Sequence, residues 1–243
     1  MGRGLVLATM VVGSALAPAE DHVTPRLSAP LSGTNAIQRT TPRTIRVAVV
    51  RGQPEVTLEV RGRFRMVDSR TGAILQEGRH LPDVRIRPST EGLVVGEQLL
   101  PAAGVRIEPM RDATIRLDGR HLRGNIDIMG QGTGTLLVVN QVNLEDYLKG
   151  VLAKEVPHDW PVEALRAMAI AARTYALYQR FSKTSAEYDV SADVFDQLYG
   201  GKAAERWRTN RAVEGTRGLV LTYQGRLLRT FYHSTCGGLT EHA

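Results

Sequence analysis

Glu155 is the residue whose position in this sequence best suits acid–base chemistry. Leu144, Leu148 and Val151 recur at helical spacing, and the same stripe continued reaches Glu155, two residues before Pro157. Burial of that stripe and the negative end of the helix dipole would both disfavour the charged carboxylate and raise its pKa. A general acid that works near neutral pH needs such a pKa. A solvated glutamate at a frayed helix end is the other interpretation that the spacing leaves open.

A second carboxylate that could act with Glu155 is not evident nearby. Asp146 falls on roughly the opposite face of the same predicted helix, and Asp159 and Glu163 suit the first turn of the next one. Glycosidases with paired carboxylates need the second acid as nucleophile or base. None of the three acids is convincing in that role.

His233 and Cys236, in the segment FYHSTCGG, form a competing base and nucleophile pair. Residues three apart in a strand face opposite sides, so the two would meet only if the backbone turned between them. A zinc site is only weakly supported. The possible ligands His233, Cys236 and His242 lack the paired spacing typical of zinc ligands. We predict no metal and no cofactor.

The elements that must position Glu155 change type at Asn143. Before it, alternating and β-branched runs predict strands, with a hairpin at Asp118-Gly119. The loop at 130–134, GQGTG, precedes a strand pattern rather than a helix, which argues against a dinucleotide-binding loop. Asn143 itself is a good N-cap for a helix that Pro157 ends.

After Pro157 the sequence predicts a second helix and then a return to strands. The alanine-rich second helix begins at Pro161, and a short helical stretch follows around 203–213. A hairpin tip is predicted at Gln224-Gly225. The expected fold class is therefore α+β: an antiparallel β-rich N-terminal part, a helical core segment, further strands, and a groove between them.

The first residues predict export from the cytoplasm. One positive charge precedes a short apolar stretch, and the small residues APA at 17–19 suit a cleavage site, so 1–19 is interpreted as a signal peptide. An uncleaved anchor is the alternative, and it would be the only membrane contact expected. Residues 20–43 are rich in Pro, Ser and Thr and predict a disordered linker. The expected location is secreted, periplasmic or cell-envelope.

Composition and charge indicate which classes of binding partner to expect. The chain has 243 residues, 42% of them hydrophobic and 23% charged, as in ordinary globular proteins. A net charge of +6 makes an anionic partner or surface plausible. Nucleic acid is not expected, because the arginines are scattered and aromatic residues make up only 5%.

Several segments resemble one known family in the right order. The stretch VVNQVNLEDYLKGVLAKEVPHDWPVEALRAMAIAARTYAL resembles the core motif of the stage II sporulation protein D family, also called the amidase-enhancer family. DQLYGG and FYHSTCGGLTE are similar to its later motifs. The resemblance covers roughly 44–243, so we expect one domain there, with a β-rich part at 44–142 and a catalytic part at 143–243. The chain ends soon after CGGLTE, which predicts an incomplete domain.

The resemblance implies a peptidoglycan lytic transglycosylase that prefers glycan strands without stem peptides. Its catalytic glutamate lies in a Glu-Met-Pro motif, which is matched by Glu155, Val156 and Pro157. That residue would protonate the leaving oxygen and then, as a base, assist attack by the muramic acid 6-hydroxyl. Because the substrate supplies its own nucleophile, one carboxyl group would suffice. The products would carry 1,6-anhydro-muramic ends.

The resemblance also implies substrate-binding positions and a second functional hypothesis. The matched residues are Arg173, Gln197, Tyr199, His233, Ser234, Gly237 and Gly238. Packing roles remain open for Arg173, Gln197 and Tyr199. Some relatives carry zinc ligands just before Gln197, where this chain has Ser191 and Asp196 among others, which again predicts no zinc. The alternative function is a non-catalytic wall-binding protein that recruits or enhances a peptidoglycan amidase.

Overall fold

The structure is a computed structural model that describes residues 44–183 and 187–232. The predicted signal peptide and linker lie outside these residues, as do His233, Ser234, Gly237 and Gly238. None of the helices in the described part combines the length and the apolarity needed to cross a bilayer.

Thirteen strands are formed, most of them in the first half of the described chain. They are β1 Thr44–Gln53, β2 Val56–Asp68, β3 Ile74–Ser89, β4 Gly92–Val95, β5 Gln98–Leu100, β6 Gly104–Pro109, β7 Thr114–Leu117, β8 Arg120–Leu122, β9 Asn125–Gln131, β10 Thr135–Asn143, β11 Val190–Ser191, β12 Thr222–Tyr223 and β13 Arg226–Leu227.

One large sheet contains β1 to β11, in the order β11-β1-β10-β9-β6-β2-β3-β4-β5, and β7 pairs with both β2 and β8. All its pairs are antiparallel except β1 with β11. The predicted hairpin at Asp118-Gly119 joins β7 to β8, and both residues have the positive φ that a type I′ turn requires. Gln224-Gly225 likewise joins β12 to β13. The α+β fold, with strands before and after the helical segment, is confirmed, while the groove stays a prediction.

Three α-helices follow the first ten strands: α1 Leu144–Glu155, α2 Val162–Ser182 and α3 Trp207–Gly215. Asn143 caps α1 as predicted, because its side chain accepts a hydrogen bond from Glu145 N at 2.9 Å. Helix α1 ends at Glu155, and Val156 is extended as the position before Pro157 requires. Pro161 caps α2 rather than being its first helical residue. The predicted stretch at 203–213 is a 3-10 helix, Gly201–Ala204, followed by α3.

The helices and the sheet share one buried apolar cluster. Val47 of β1, Val138 of β10, Val151 of α1 and Ala172 of α2 all belong to it and are almost completely buried. Small residues on α2, such as Ala172, let the neighbouring elements approach closely, as the alanine-rich sequence predicts. Helix α1, which carries Glu155, is therefore held in place by packing against the large sheet.

At Gly150, α1 packs closely against the segment that follows β11. A Cβ atom added at Gly150 would lie 2.5 Å from the Tyr199 ring and 3.1 Å from the Gly201 carbonyl oxygen. The Gly200 N–H donates to the Gly150 carbonyl at 3.1 Å. Glycine in mid-helix is therefore required here by close approach, despite its conformational cost.

We expect Gly150→Ala to destabilise the fold. Overpacking costs about 1–3 kcal/mol, whereas the gain in helix propensity is about 0.5–1 kcal/mol. The net loss of unfolding free energy should be measurable by urea denaturation. Gly132→Ala is the matched control, because a Cβ there meets nothing within 4 Å. Equal stabilities of the two variants would contradict the packing of Tyr199 on α1.

Candidate functional site

Glu155 is the last residue of α1, and its side chain is half-buried. The backbone N–H of Leu198 donates to Glu155 Oε1 at 2.7 Å. Burial raises the pKa of the Glu155 carboxyl, and the Leu198 hydrogen bond offsets part of that rise. Within 44–183 and 187–232, no lysine or arginine forms an ion pair with this carboxyl. The site thus offers a carboxylic acid that holds its proton to a higher pH than a solvated glutamate does.

Gln197 holds the backbone that reaches Glu155. Its side chain is almost completely buried: its Oε1 accepts from Tyr147 Oη at 3.0 Å, and its Nε2 donates to Tyr232 Oη at 2.7 Å. Nε2 also lies 3.3 Å from the carbonyl oxygen of Ala172, on α2. The next residue is Leu198, whose N–H donates to Glu155. The contacts of Gln197 therefore hold this N–H in position.

Tyr199 is also buried, and it connects α1 to the sheet. Its Oη donates to Asn140 Oδ1 of β10 at 3.1 Å, and its ring centroid is 5.1 Å from that of Tyr147. Asn140 in turn donates to the carbonyls of Arg123 and Asn125. Burial raises the pKa of both tyrosines, so both stay neutral hydroxyls over the physiological range.

Arg173 lies on α2 with no solvent exposure. Its Nε and Nη2 atoms contact the two carboxylate oxygens of Glu145 at 3.0 and 2.7 Å, a bidentate pair. It also donates to the carbonyls of Val213 and Leu219, each at 3.1 Å. Because Glu145 is in the first turn of α1, Arg173 lies at the opposite end of that helix from Glu155.

Three aspartates fasten the segment 189–199 to β1 and α2. Asp189 forms ion pairs with Arg46 and Arg180, and Asp193 forms one with Arg51. Asp196 accepts from the Ser191 N–H at 2.8 Å and from Tyr175 and Gln179 at 2.7 Å each. Burial opposes ionisation of Asp196, yet these donors hold its pKa below the ordinary value. We call this set of contacts the aspartate clasp.

The aspartate clasp includes the side chains at which zinc ligands were considered from the sequence. Ser191 Oγ donates to Asp193 and to Asp196, at 2.7 and 3.0 Å. Among the described residues no three of the metal-ligating side chains His, Cys, Asp and Glu are grouped to hold an ion. Ser191, Asp193 and Asp196 therefore serve hydrogen bonds and ion pairs in this structure.

The predicted site residues are thus brought together only in part. Gln197 and Tyr199 lie on the segment that reaches Glu155, with their side chains turned into the interior, and Arg173 is remote from Glu155. Their roles in substrate binding stay predictions. His233, Ser234, Gly237 and Gly238 lie outside the described residues, as do Cys236 and His242.

Sequence reasoning missed the Leu198 amide, Tyr147 and Tyr232. Tyr147 had a signal, because it precedes Val151 and Glu155 at four-residue intervals along α1. Tyr232 had none, since it comes from a segment far along the chain and reaches Gln197 only in the folded state. A backbone donor such as Leu198 carries no signature in residue type.

Part of the chain, including this site, is similar to one known protein family. Residues 132–223 match the family described as "Stage II sporulation protein". The matched range includes α1 and α2, Glu155, and the segment that carries Leu198.

Several curated proteins are also similar to this chain, and two of those given below carry names related to that family. An uncharacterized protein of Brachyspira hyodysenteriae is 32% identical over 200 residues, 82% of this chain and 54% of the relative. The "Amidase enhancer" of Bacillus subtilis is 39% identical over 143 residues, 56% of this chain and 19% of the relative. The "Stage II sporulation protein D" of Bacillus subtilis is 34% identical over 120 residues, 43% of this chain and 35% of the relative. The chain thus spans about half the length of the first of these relatives, and less of the other two.

We expect Arg173→Met to destabilise the protein severely, because it leaves Glu145 as a buried charge without its partner. The expected loss is about 3–5 kcal/mol of unfolding free energy, measured by chemical denaturation. Adding Glu145→Gln should recover part of the loss, since the uncompensated charge is then removed.

Arg166→Ala is the control for this prediction, because Arg166 makes an exposed pair with Glu163 on the same helix. That change should cost less than about 1 kcal/mol. If Arg173→Met instead kept wild-type stability, the substrate-binding role would be favoured over the packing role.

The raised pKa of Glu155 predicts a pH-dependent effect of Glu155→Gln on stability. A carboxyl whose pKa is higher in the folded state contributes stability at low pH and loses it as the pH rises through the folded value. Above that value, the uncharged glutamine should be at least as stable as the wild type. Below the unfolded-state pKa, about 4.3, this advantage should disappear. Urea unfolding of both proteins at pH 4 and pH 7.5 measures the difference, and a variant less stable at pH 7.5 than at pH 4 relative to wild type would refute it.

Proposed function

We propose that this chain is an exported lytic transglycosylase that acts on peptidoglycan glycan strands, because residues 132–223 match the stage II sporulation protein family and similar proteins are named "Amidase enhancer" and "Stage II sporulation protein D". The observation that carries the proposal is the half-buried Glu155 carboxyl, whose pKa is raised by burial and which accepts one backbone N–H. The relatives by themselves support a cell-wall-related role, and the geometry supports the choice of acid.

In the proposed reaction, Glu155 begins as the neutral acid. It gives its proton to the glycosidic oxygen as the bond from that oxygen to the anomeric carbon of the muramic acid breaks. The carboxylate then takes the proton of the 6-hydroxyl of the same sugar, whose oxygen bonds to the anomeric carbon and closes the 1,6-anhydro ring. The proton is back on Glu155 at the end, and no water is consumed.

This reaction needs only one enzyme carboxyl, which fits the surroundings of Glu155. Two of the three other acids considered from the sequence are engaged elsewhere: Asp146 lies near Lys149 at the opposite end of α1, and Glu163 pairs with Arg166 on the surface of α2. Asp159 is exposed in the turn between α1 and α2. The Leu198 N–H fixes the orientation of the carboxyl without bringing in a cation that would hold it ionised. A proton donor that becomes a base within one cycle benefits from this balance.

Gln197, Tyr199 and Arg173 have positioning roles in this proposal. Gln197 holds the Leu198 amide in place through Tyr147 and Tyr232, and Tyr199 fixes the same segment against α1. Arg173 anchors the N-terminal end of α1. Fixed surroundings matter, because a small misplacement of a catalytic group can reduce the rate a hundredfold.

A second function has specific support, from the likeness to a protein named "Amidase enhancer". The chain would then bind the wall without cutting it and stimulate an amidase. Its net charge of +6 would favour anionic wall polymers in either case. The two proposals differ in what they expect of Glu155, which is needed only for cleavage.

We expect Glu155→Gln to abolish formation of 1,6-anhydro-muramic ends, with a rate loss of at least about 100-fold, because the acid and base are the same group. The whole chain is incubated with purified glycan strands stripped of stem peptides, and products are measured by mass spectrometry. Glu163→Gln is the control, an exposed acid whose loss should leave the rate unchanged.

Two results would count against the transglycosylase. One is a wild-type protein that forms no anhydro ends above the level of Glu155→Gln. The other is equal activity of both proteins. Stimulation of a wall amidase that survives Glu155→Gln, without glycan cleavage, would establish the second function instead.

A further inference from the structure

Phe195 and Val194 are the most exposed large apolar residues in the described part of the chain. Their relative exposures are 82% and 79%, and Leu198 nearby is 37% exposed. Burying a side chain of this size is worth about 1.5–3 kcal/mol, so the free protein forgoes that stabilisation. Single exposed apolar residues are common, but these three belong to one short segment that also contacts Glu155.

The ring of Phe195 is presented by a rigid turn. Asp193 Oδ1 accepts the Phe195 N–H at 3.0 Å, and the Asp196 N–H lies 3.3 Å from the Asp193 carbonyl oxygen. Asp193 is paired with Arg51 of β1, and Asp196 is held by the aspartate clasp on α2. The turn is therefore bonded to the fold on both sides of Phe195, so little backbone ordering entropy would be lost when a ligand binds the ring.

Phe195 is close to the candidate acid. It lies three positions before Leu198, whose N–H donates to Glu155 at 2.7 Å. Even fully extended, that stretch spans at most about 11 Å between Cα atoms. Phe231 is also exposed, but the Arg229 guanidinium lies 4.3 Å from its ring centroid and covers one of its faces. Within the described residues, no ring or cation covers the Phe195 ring in the same way.

We propose that Phe195 is a sugar-stacking residue, whose ring forms a platform for one pyranose ring of a glycan strand beside Glu155. This inference rests on the proposed substrate class. A pyranose presents an apolar face of C–H groups with hydroxyls around its edge, so it can cover an aromatic face and keep its polar groups in water.

A glycan fits this surface better than a protein partner. A stable protein interface buries about 800 Å² on each side, far more than three neighbouring side chains can supply. One sugar ring needs only one ring face. A strand of several sugars is also long enough to cover Phe195 and reach Glu155, because the chain between Phe195 and Leu198 is short.

The test measures glycan binding without turnover, in the whole chain carrying Glu155→Gln. Soluble glycan strands without stem peptides are titrated, and Kd is measured by calorimetry. Phe195→Ala should raise Kd roughly tenfold, which corresponds to about 1.4 kcal/mol, whereas Phe195→Trp should stay within about threefold because it keeps an aromatic face. Leu99→Ala is the control: Leu99 is exposed on β5, at the other end of the sheet from β11.

Each outcome decides for or against the inference. Equal Kd values for Phe195→Ala and its parent, or no glycan binding by the parent, would overturn it. Loss of amidase stimulation with unchanged glycan binding would assign Phe195 to protein docking and would also overturn it. Failure of the transglycosylase proposal is a separate result, since a non-cutting chain would still show the effect of Phe195 on Kd. Phe195→Ala should fold normally because the ring is exposed, and Phe195→Trp tests the same point if it does not.

Discussion

The hydrogen bond from the Leu198 N–H to Glu155 joins the two parts of the candidate site. It ties the end of α1 to a segment that is fixed elsewhere on β1 and α2. One backbone donor is enough to orient a carboxyl, whereas two or three would lower its pKa to the range of an ordinary ionised acid. Burial works in the opposite direction and dominates here. The balance of these two effects leaves the pKa of Glu155 above its ordinary value, as the proposed proton donor requires.

Maintaining that balance explains why so many polar side chains are buried near α1. Gln197, Asn140 and Arg173 are all buried to at least 99%, and each has hydrogen-bond partners on more than one element. A satisfied buried network specifies one arrangement, because any shift leaves a polar group unpaired in a medium of low dielectric. Apolar contacts alone would tolerate small displacements of the segment 189–199. The Leu198 amide has to be placed within hydrogen-bonding distance, and directional contacts do this better.

The sequence predicted the local elements around Glu155 well and its partners poorly. Asn143, Pro157 and the hairpin at Asp118-Gly119 act through their nearest neighbours, so their effects were visible in residue type and order. The parallel pairing of β11 with β1 and the pairing of β6 with β2 depend on contacts distant in sequence. Leu198 is a stronger case, since its contribution is a backbone N–H that any residue but proline would supply. For Arg173, residue type suggested a ligand contact or an ion pair, and only the fold shows Glu145 within reach.

Two features of this structure run against stability, and both lie beside the same hydrogen bond. Glu155 is an acid at the negative end of a helix and partly removed from water, and Phe195 is a large apolar ring left in solvent. Sequences usually keep local preference and global fold consistent, and departures gather where function requires them. A single departure could be accidental. Two of opposite kind, a carboxyl turned inward and an apolar ring turned outward, lie on elements joined by one amide. The proposed glycan ligand would account for both, since it has an oxygen to protonate and an apolar face to cover.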